Sequence, residues 1–276
     1  MPTFRLRLPD SRQQPNDVHF QSKTGNEVLK QFLNSERTDV TTNLIDFEPW
    51  DRLLRQYVDQ HGRVDYGAWK KEQPQVLNDW LSSKKQLPLE SNSDYLEELT
   101  LWINLYNAFT ISTILERYPL KSIRPQILGL PNWLAFLWFF QRRAYEIFGN
   151  HYSLAQIENQ ILRDKLHEPR IHFAIVCASI GCPLLRPGAY FPEHIIQQLD
   201  EDARRFINNP EKVRYDIQSK TLYCNKIFQW YRHDFCKIAP SIPEYIGSYL
   251  KADLPLTAST PISYLHYDWS LNQRMS

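Results

Sequence analysis

IHFAIVCASIGCP, residues 171–183, decides how the rest of this chain is read. A mostly apolar run leads past His172 to Cys177 and breaks at Gly181, Cys182 and Pro183. An apolar run of this length between breakers is a buried segment, either a strand or a short core helix. Ile175 and Val176 are β-branched and favour the strand. The reading is therefore a strand or strand end, followed by a tight turn over 178–183. Residues at the end of a buried strand are well held and still reach solvent, which is where rigid scaffolds carry functional groups.

Working outward, the segment 93–117 predicts the strongest helix. Ser93 is the candidate N-cap, acidic residues follow it, and Leu96, Leu99, Trp102, Ile103, Tyr106 and Phe109 spread over a broad apolar face. Pro119 stops it. Asn104 and Asn107 interrupt this apolar helix, and buried amides must find partners. They are expected to pin the backbone of 172–183 or to line a pocket. Helices are also expected over 49–58, 75–81, 192–208, 226–235 and 242–250, and from Ser153, where Gln156 completes a capping box. VDYGAW at 64–69 reads as a turn or short strand. Hairpins are expected over 143–153, turning at Gly149–Asn150, and over 213–224. A final strand is expected around Tyr264, Leu265 and Tyr267.

This pattern predicts a mixed α+β fold, with long buried helices packed on a small, largely antiparallel sheet. Residues 1–43 read as an N-terminal arm with a short helix over 27–34, and 44–276 as a single globular domain. The net charge of +1 gives no field for nucleic acid. The apolar octet WLAFLWFF, 133–140, is too short to cross a bilayer, so it reads as core, lid or partner surface. No export signal opens the chain, so a cytoplasmic setting with reduced thiols is expected for its 4 cysteines.

Several segments together carry a resemblance: LWINLYNAFT (101–110), YPLKSI (118–123), YSLAQIENQILR (152–163), PRIHFAIVCASIGCPLL (169–185), KIFQWYRHDF (226–235) and YDWSLN (267–272). In that order they resemble the family of unknown function numbered 547, DUF547, over about 44–272. The resemblance carries over Trp102, Asn104, Tyr106, Asn107, Arg170, His172, Cys177, Ser179, Cys182, Pro183, Trp230, Tyr231, Asp234, Phe235, Tyr267 and Asp268. It supplies no chemistry.

The residues themselves leave several chemistries open. Nucleophilic catalysis needs a thiolate, an imidazole and a polar orienter. Cys177 is the candidate thiol. His172 is a candidate imidazole, but a straight strand sets it about 16 Å from Cys177 on the opposite face. His266 is the remote candidate, with Asp268 two residues on and so on the same face. Asn104 and Asn107 could orient a ring or donate to an oxyanion. This reading is a cysteine-dependent acyl hydrolase or transferase acting on an unidentified small molecule or peptide. Cys177 and Cys182 could instead be a redox pair if the loop folds back, or a loose metal set with His172 and His266, or two packed structural thiols. No cofactor fingerprint is present. The competing class is a non-catalytic binding or scaffold module using the aromatic octet.

Overall fold

The computed structural model describes residues 45–85, 94–124, 126–127, 130–131, 139–142 and 144–274. The arm over 1–43, its short helix, Ser93 and most of the aromatic octet (133–138) lie outside the described residues.

Among the described residues three helices come first: α1 (Glu48–Tyr57), α2 (Tyr66–Glu72) and α3 (Pro74–Ser82). The expected turn or strand at 64–69 is instead a β-bridge at Val64 followed by α2. Asp65 caps α2 by accepting from the Ala68 amide at 2.9 Å, a local signal that overrides the strand-like pattern. Trp50, Trp69 and Trp80 from these helices meet ring to ring. The long helix α4 (Tyr95–Arg117) runs past them, with Asp94 as its N-cap. Nearly every side chain from Leu99 to Leu115 is buried, so α4 is a core axis rather than a surface helix.

Short antiparallel pairs follow: β1 (Gln126–Ile127) with β2 (Leu130–Pro131), and β3 (Tyr145–Ile147) with β4 (Asn150–Tyr152). The second hairpin turns at Phe148–Gly149, one residue earlier than expected, with both residues at positive φ (52° and 70°) as a primed two-residue turn requires. The expected capping box forms at Ser153 and Gln156 and starts α5 (Leu154–Gln156). The chain then widens into a π-helix, π1 (Ile157–Arg163), whose amides reach back five residues, as from Asp164 to Asn159. Such widenings are rare and are often found at functional sites.

The remaining elements are α6 (Ile171–Ala174), α7 (Ile195–Ile207), β5 (Val213–Asp216), β6 (Thr221–Cys224), α8 (Ile227–Trp230), α9 (Arg232–Phe235), α10 (Ile242–Gly247) and β7 (Ile262–Tyr264). The fold is mixed α+β with a small open sheet. The three-stranded sheet has the order β5-β6-β7: β6 is antiparallel to β5, and β7 joins β6 in parallel. The final strand therefore stops at Tyr264. Residues beyond it lace the fold through single bridges, Ser270 to Ser122, Leu271 to Ser179 and Gln273 to Val64.

Two apolar cores result. One surrounds α4 and the tryptophans. The other gathers Phe173, Phe206, Phe228, Phe235 and Tyr245. The segment 171–176 feeds both, and Cys177 packs against both at their seam.

Candidate functional site

The central run is not a strand. Residues 171–174 form a helical turn, and Ile175 then becomes extended (φ −86°, ψ 135°). Upstream, Glu168 accepts from the Arg170 amide at 2.9 Å and pairs with its guanidinium, while Pro169 starts the turn with φ already set. Among the described residues no strand pairs with the extended part. Its partner is the Asn107 side chain, which donates from Nδ2 to the Ala174 carbonyl and accepts on Oδ1 from the Val176 amide, each at 2.9 Å. One amide thus does what an adjacent strand would do. The pin expected from α4 is present. Asn104 makes the same pair of hydrogen bonds to another segment, donating to the Tyr190 carbonyl (2.9 Å) and accepting from its amide (3.1 Å).

The turn over 178–183 is clamped on two further sides. The Ile180 and Gly181 amides donate to the carbonyls of Ser270 and Asp268. The buried Lys212 ammonium donates to the carbonyls of Ile180 and Cys182, and Asn225 Nδ2 to that of Gly181. Gly181 is required there: a Cβ would stand 2.7 Å from the Tyr267 ring and 2.9 Å from the Asp268 oxygen. Ala178, immediately after Cys177, adopts φ 64°, the left-handed region that costs a residue with a Cβ. Among the described residues no acceptor meets the buried amides of Ala178 and Ser179.

Folding the loop back brings the two cysteines together. Cys177 and Cys182 are joined as a disulfide, with Cα atoms 6.2 Å apart. Cys177 is half-buried and Cys182 is buried. Cys182 Sγ accepts from the Cys177 amide (2.9 Å) and from the Tyr267 hydroxyl (3.2 Å). Ser179 Oγ and Tyr267 Oη stand 3.2 and 3.4 Å from Cys177 Sγ. Tyr267 also packs with Trp230 and Trp269.

An acid–base network forms around His172. Its Nε2 lies 2.9 Å from Asp234 Oδ2, which also accepts from Arg163 Nε at 2.6 Å. Burial alone would raise the Asp234 carboxyl. The hydrogen bonds from His172 and Arg163, together with the Arg163 charge, outweigh it and hold the carboxyl well below the usual carboxylate range. Burial pushes the His172 imidazole down, and its acidic neighbours do not restore it. The neutral ring therefore donates Nε2–H to Asp234. Its Nδ1 lone pair is buried with no partner among the described residues. The Tyr231 ring stacks on His172 with centroids 3.7 Å apart, and its hydroxyl donates to Glu158 at 2.6 Å. Tyr106 donates to the other oxygen of Glu158 at 3.2 Å. Burial raises Tyr106, Tyr231 and Tyr267, so all three remain protonated donors.

The side chains of the other sequence candidates make no hydrogen bond to this network, although the Asp268 carbonyl holds the Gly181 amide. His266 is exposed and makes no hydrogen bond among the described residues. Asp268 accepts from the Ser270 amide at 2.8 Å in a local turn. The hydrogen-bonded imidazole–carboxylate pair is therefore His172 with Asp234, and not His266 with Asp268. Glu158 and Arg163 sit on π1 and are not legible as site residues in the sequence, because a π-helix has no sequence signature and both read as ordinary polar helix residues. Among the described residues no cluster of three or more His, Cys, Asp or Glu side chains suits a metal ion, and no helix is long and apolar enough to cross a membrane. A cleft of about 700 Å³ opens elsewhere, between α1 and α7; its lining includes Asp51, Arg55, Arg186 and Asp202, all in ion pairs, and none of the thiol-turn residues.

Residues 91–207 match the family described as "Protein of unknown function, DUF547". The matched range holds Asn107, Glu158, Arg163, His172, Cys177 and Cys182, and ends before Tyr231, Asp234 and Tyr267. No curated protein and no solved structure matches the chain.

Proposed function

We propose that this chain is a cysteine-dependent acyl hydrolase or transferase, with the reduced Cys177 as nucleophile. The observation that carries the reading is how Cys177 is mounted. It lies half-buried at the seam of two cores, on backbone held by Asn107, and is followed by the strained Ala178 and by two amides without acceptors among the described residues. Strain survives where the surroundings impose it, and it gathers at reactive sites. The Ala178 and Ser179 amides are buried while the bridge is closed, and become donors to a carbonyl oxygen that turns negative on attack only when opening of the bridge admits the substrate. The hydroxyls of Ser179 and Tyr267 lie within reach of the Cys177 sulfur and favour its thiolate. His172 is the base, oriented through Nε2 by Asp234, with an Nδ1 lone pair that has no partner among the described residues. It makes no hydrogen bond to Cys177, so its proton transfer belongs to the substrate complex, where such contacts tighten. The scaffold alternative rests on the aromatic octet, most of which lies outside the described residues.

The test uses the reduced chain. Iodoacetamide at pH 7 is expected to alkylate Cys177 faster than Cys236, as mapped on digested peptides. A panel of aryl esters and thioesters is expected to be hydrolysed by the wild type and not by Cys177→Ser. Alkylation of Cys177 no faster than in the urea-unfolded chain, or a Cys177→Ser variant as active as the wild type, overturns the proposal.

A further inference from the structure

We infer that Cys177 and Cys182 are a reversible dithiol–disulfide centre that exchanges with low-molecular-weight thiols and disulfides of the glutathione type, Cys177 being the sulfur that enters exchange and Cys182 the one that leaves. Three independent features of the site point this way. The first is apposition on a fixed frame. The backbone on both sides of the pair is held by Asn107, Lys212, Asn225 and the 268–272 segment, so the sulfurs stay close whether bonded or not. A thiol held close to its partner closes the bridge as an intramolecular step, at high effective concentration. The second is unequal access: Cys177 is half-buried, whereas Cys182 is 4% exposed, so an incoming thiolate meets Cys177. The third is the setting of the Cys182 sulfur. It accepts from the Cys177 amide and the Tyr267 hydroxyl, two donors that stabilise negative charge where a leaving thiolate would form.

The chemistry balances without further reagents. On opening, a thiolate RS⁻ attacks Cys177 Sγ. The Cys177–SR bond forms, the bond between the two cysteines breaks, and its electron pair leaves on Cys182. A second RS⁻ attacks the R sulfur, releasing RSSR and the Cys177 thiolate. Two thiols have been oxidised and one disulfide reduced. Closing is the reverse: Cys177 attacks RSSR, and Cys182 then displaces RS⁻ from Cys177. The remaining cysteines compete poorly. Cys224 is buried, with its thiol pushed up to about 12 by burial, and Cys236 has no disulfide partner. Only the consequence for catalysis rests on the acyl-transfer reading: with Cys177 in the bridge, no nucleophile remains.

The experiment uses the full chain in buffers spanning ratios of reduced to oxidised glutathione, quenched in acid, alkylated and mapped. The peptides carrying Cys177 and Cys182 are expected to lose their alkylatable thiols together as the buffer becomes oxidising, and to regain them on return. Cys182→Ser treated with oxidised glutathione is expected to collect one adduct, on Cys177. Cys177→Ser is expected to collect its adduct on Cys182 about tenfold more slowly, because that sulfur is screened. Should either variant fold poorly, the wild-type titration stands alone. Thiols that remain alkylatable at every ratio, or a bridge that no reductant opens in the folded chain, overturns the centre. Faster capture at Cys182 overturns the assigned roles. Failure of the acyl reading would look different: a reversible redox titration with no hydrolysis by the reduced chain.

Discussion

The Val176 amide donates to Asn107 Oδ1 at 2.9 Å across 69 residues of sequence, and this bond fixes the path of the chain into Cys177. With the companion bond to the Ala174 carbonyl, one side chain satisfies two backbone groups that no strand among the described residues reaches. Asn107→Leu keeps the bulk and removes both partners. Each buried group left unpaired costs about 1–3 kcal/mol, and partial relaxation brings the expected loss to roughly 2–4 kcal/mol. A urea melt measures it. An unchanged midpoint would mean that Asn107 does not hold the turn.

Acid should unfold this protein in two stages. His172 is held below its ordinary 6.5, so between that value and its lower folded value the unfolded chain binds the extra proton. Its contribution is complete above 6.5 and is lost as pH falls through the folded value. Asp234 is depressed too, so its contribution is complete above the ordinary carboxylate range and is lost only in stronger acid. Urea midpoints taken at successive pH values should decline below 6.5, and His172→Gln should flatten that first decline. Wild type and variant declining in parallel would rule out His172 as the source.

Lys212 carries a signature of the same sign in a more alkaline window. Burial lowers its ammonium from 10.5 to about 8. Between those values the unfolded chain is the more protonated, so this group adds stability as pH rises from 8. The stability difference between wild type and Lys212→Met should therefore change in favour of the wild type from pH 8 to 9.5, below the range where tyrosines ionise. At pH 7 the variant should be the weaker fold, because the carbonyls of Ile180 and Cys182 lose their buried donor. A pH-independent difference would mean that Lys212 does not titrate there.

The legible parts of this fold are those where period and punctuation agree. The long helix shows its apolar face, its acidic start and its proline stop, and the capping box at Ser153 and Gln156 forms as its spacing implies. The central run misleads because β-branching at Ile175 and Val176 speaks for extended backbone without saying what will pair with it. A side-chain amide from α4 does so here, and Asn107 hinted at it by being polar inside an apolar helix. The local signal for the helical turn is Glu168–Pro169–Arg170, where the Glu168 carboxylate holds the Arg170 amide as the chain enters it. The His172–Asp234 pair joins residues 62 apart, and nothing local announces it. It forms because the expected helix over 226–235 breaks at Tyr231, leaving α9 as a separate turn carrying Asp234. Tyr231 itself is held between the His172 ring and Glu158.

Tyr267→Phe separates packing from chemistry at the thiols. The ring contacts with Trp230 and Trp269, centroids 4.8 and 4.5 Å away, survive the change. The hydroxyl, which lies within reach of Cys177, Cys182 and Ser179, does not. Because sulfur is a weak acceptor when neutral, stability should fall by no more than about 1 kcal/mol. A thiolate is different: losing one charge-assisted bond is worth about 1.5–3 kcal/mol, which raises a thiol by about 1–2 pH units. In the reduced chain the rate of Cys177 alkylation at pH 7 should then fall roughly tenfold, and its pH profile should move upward. The profile is the decisive readout, since loosened packing would expose Cys177 and speed alkylation at every pH. An unshifted profile would remove Tyr267 from the chemistry and leave it as the ring that packs over Gly181.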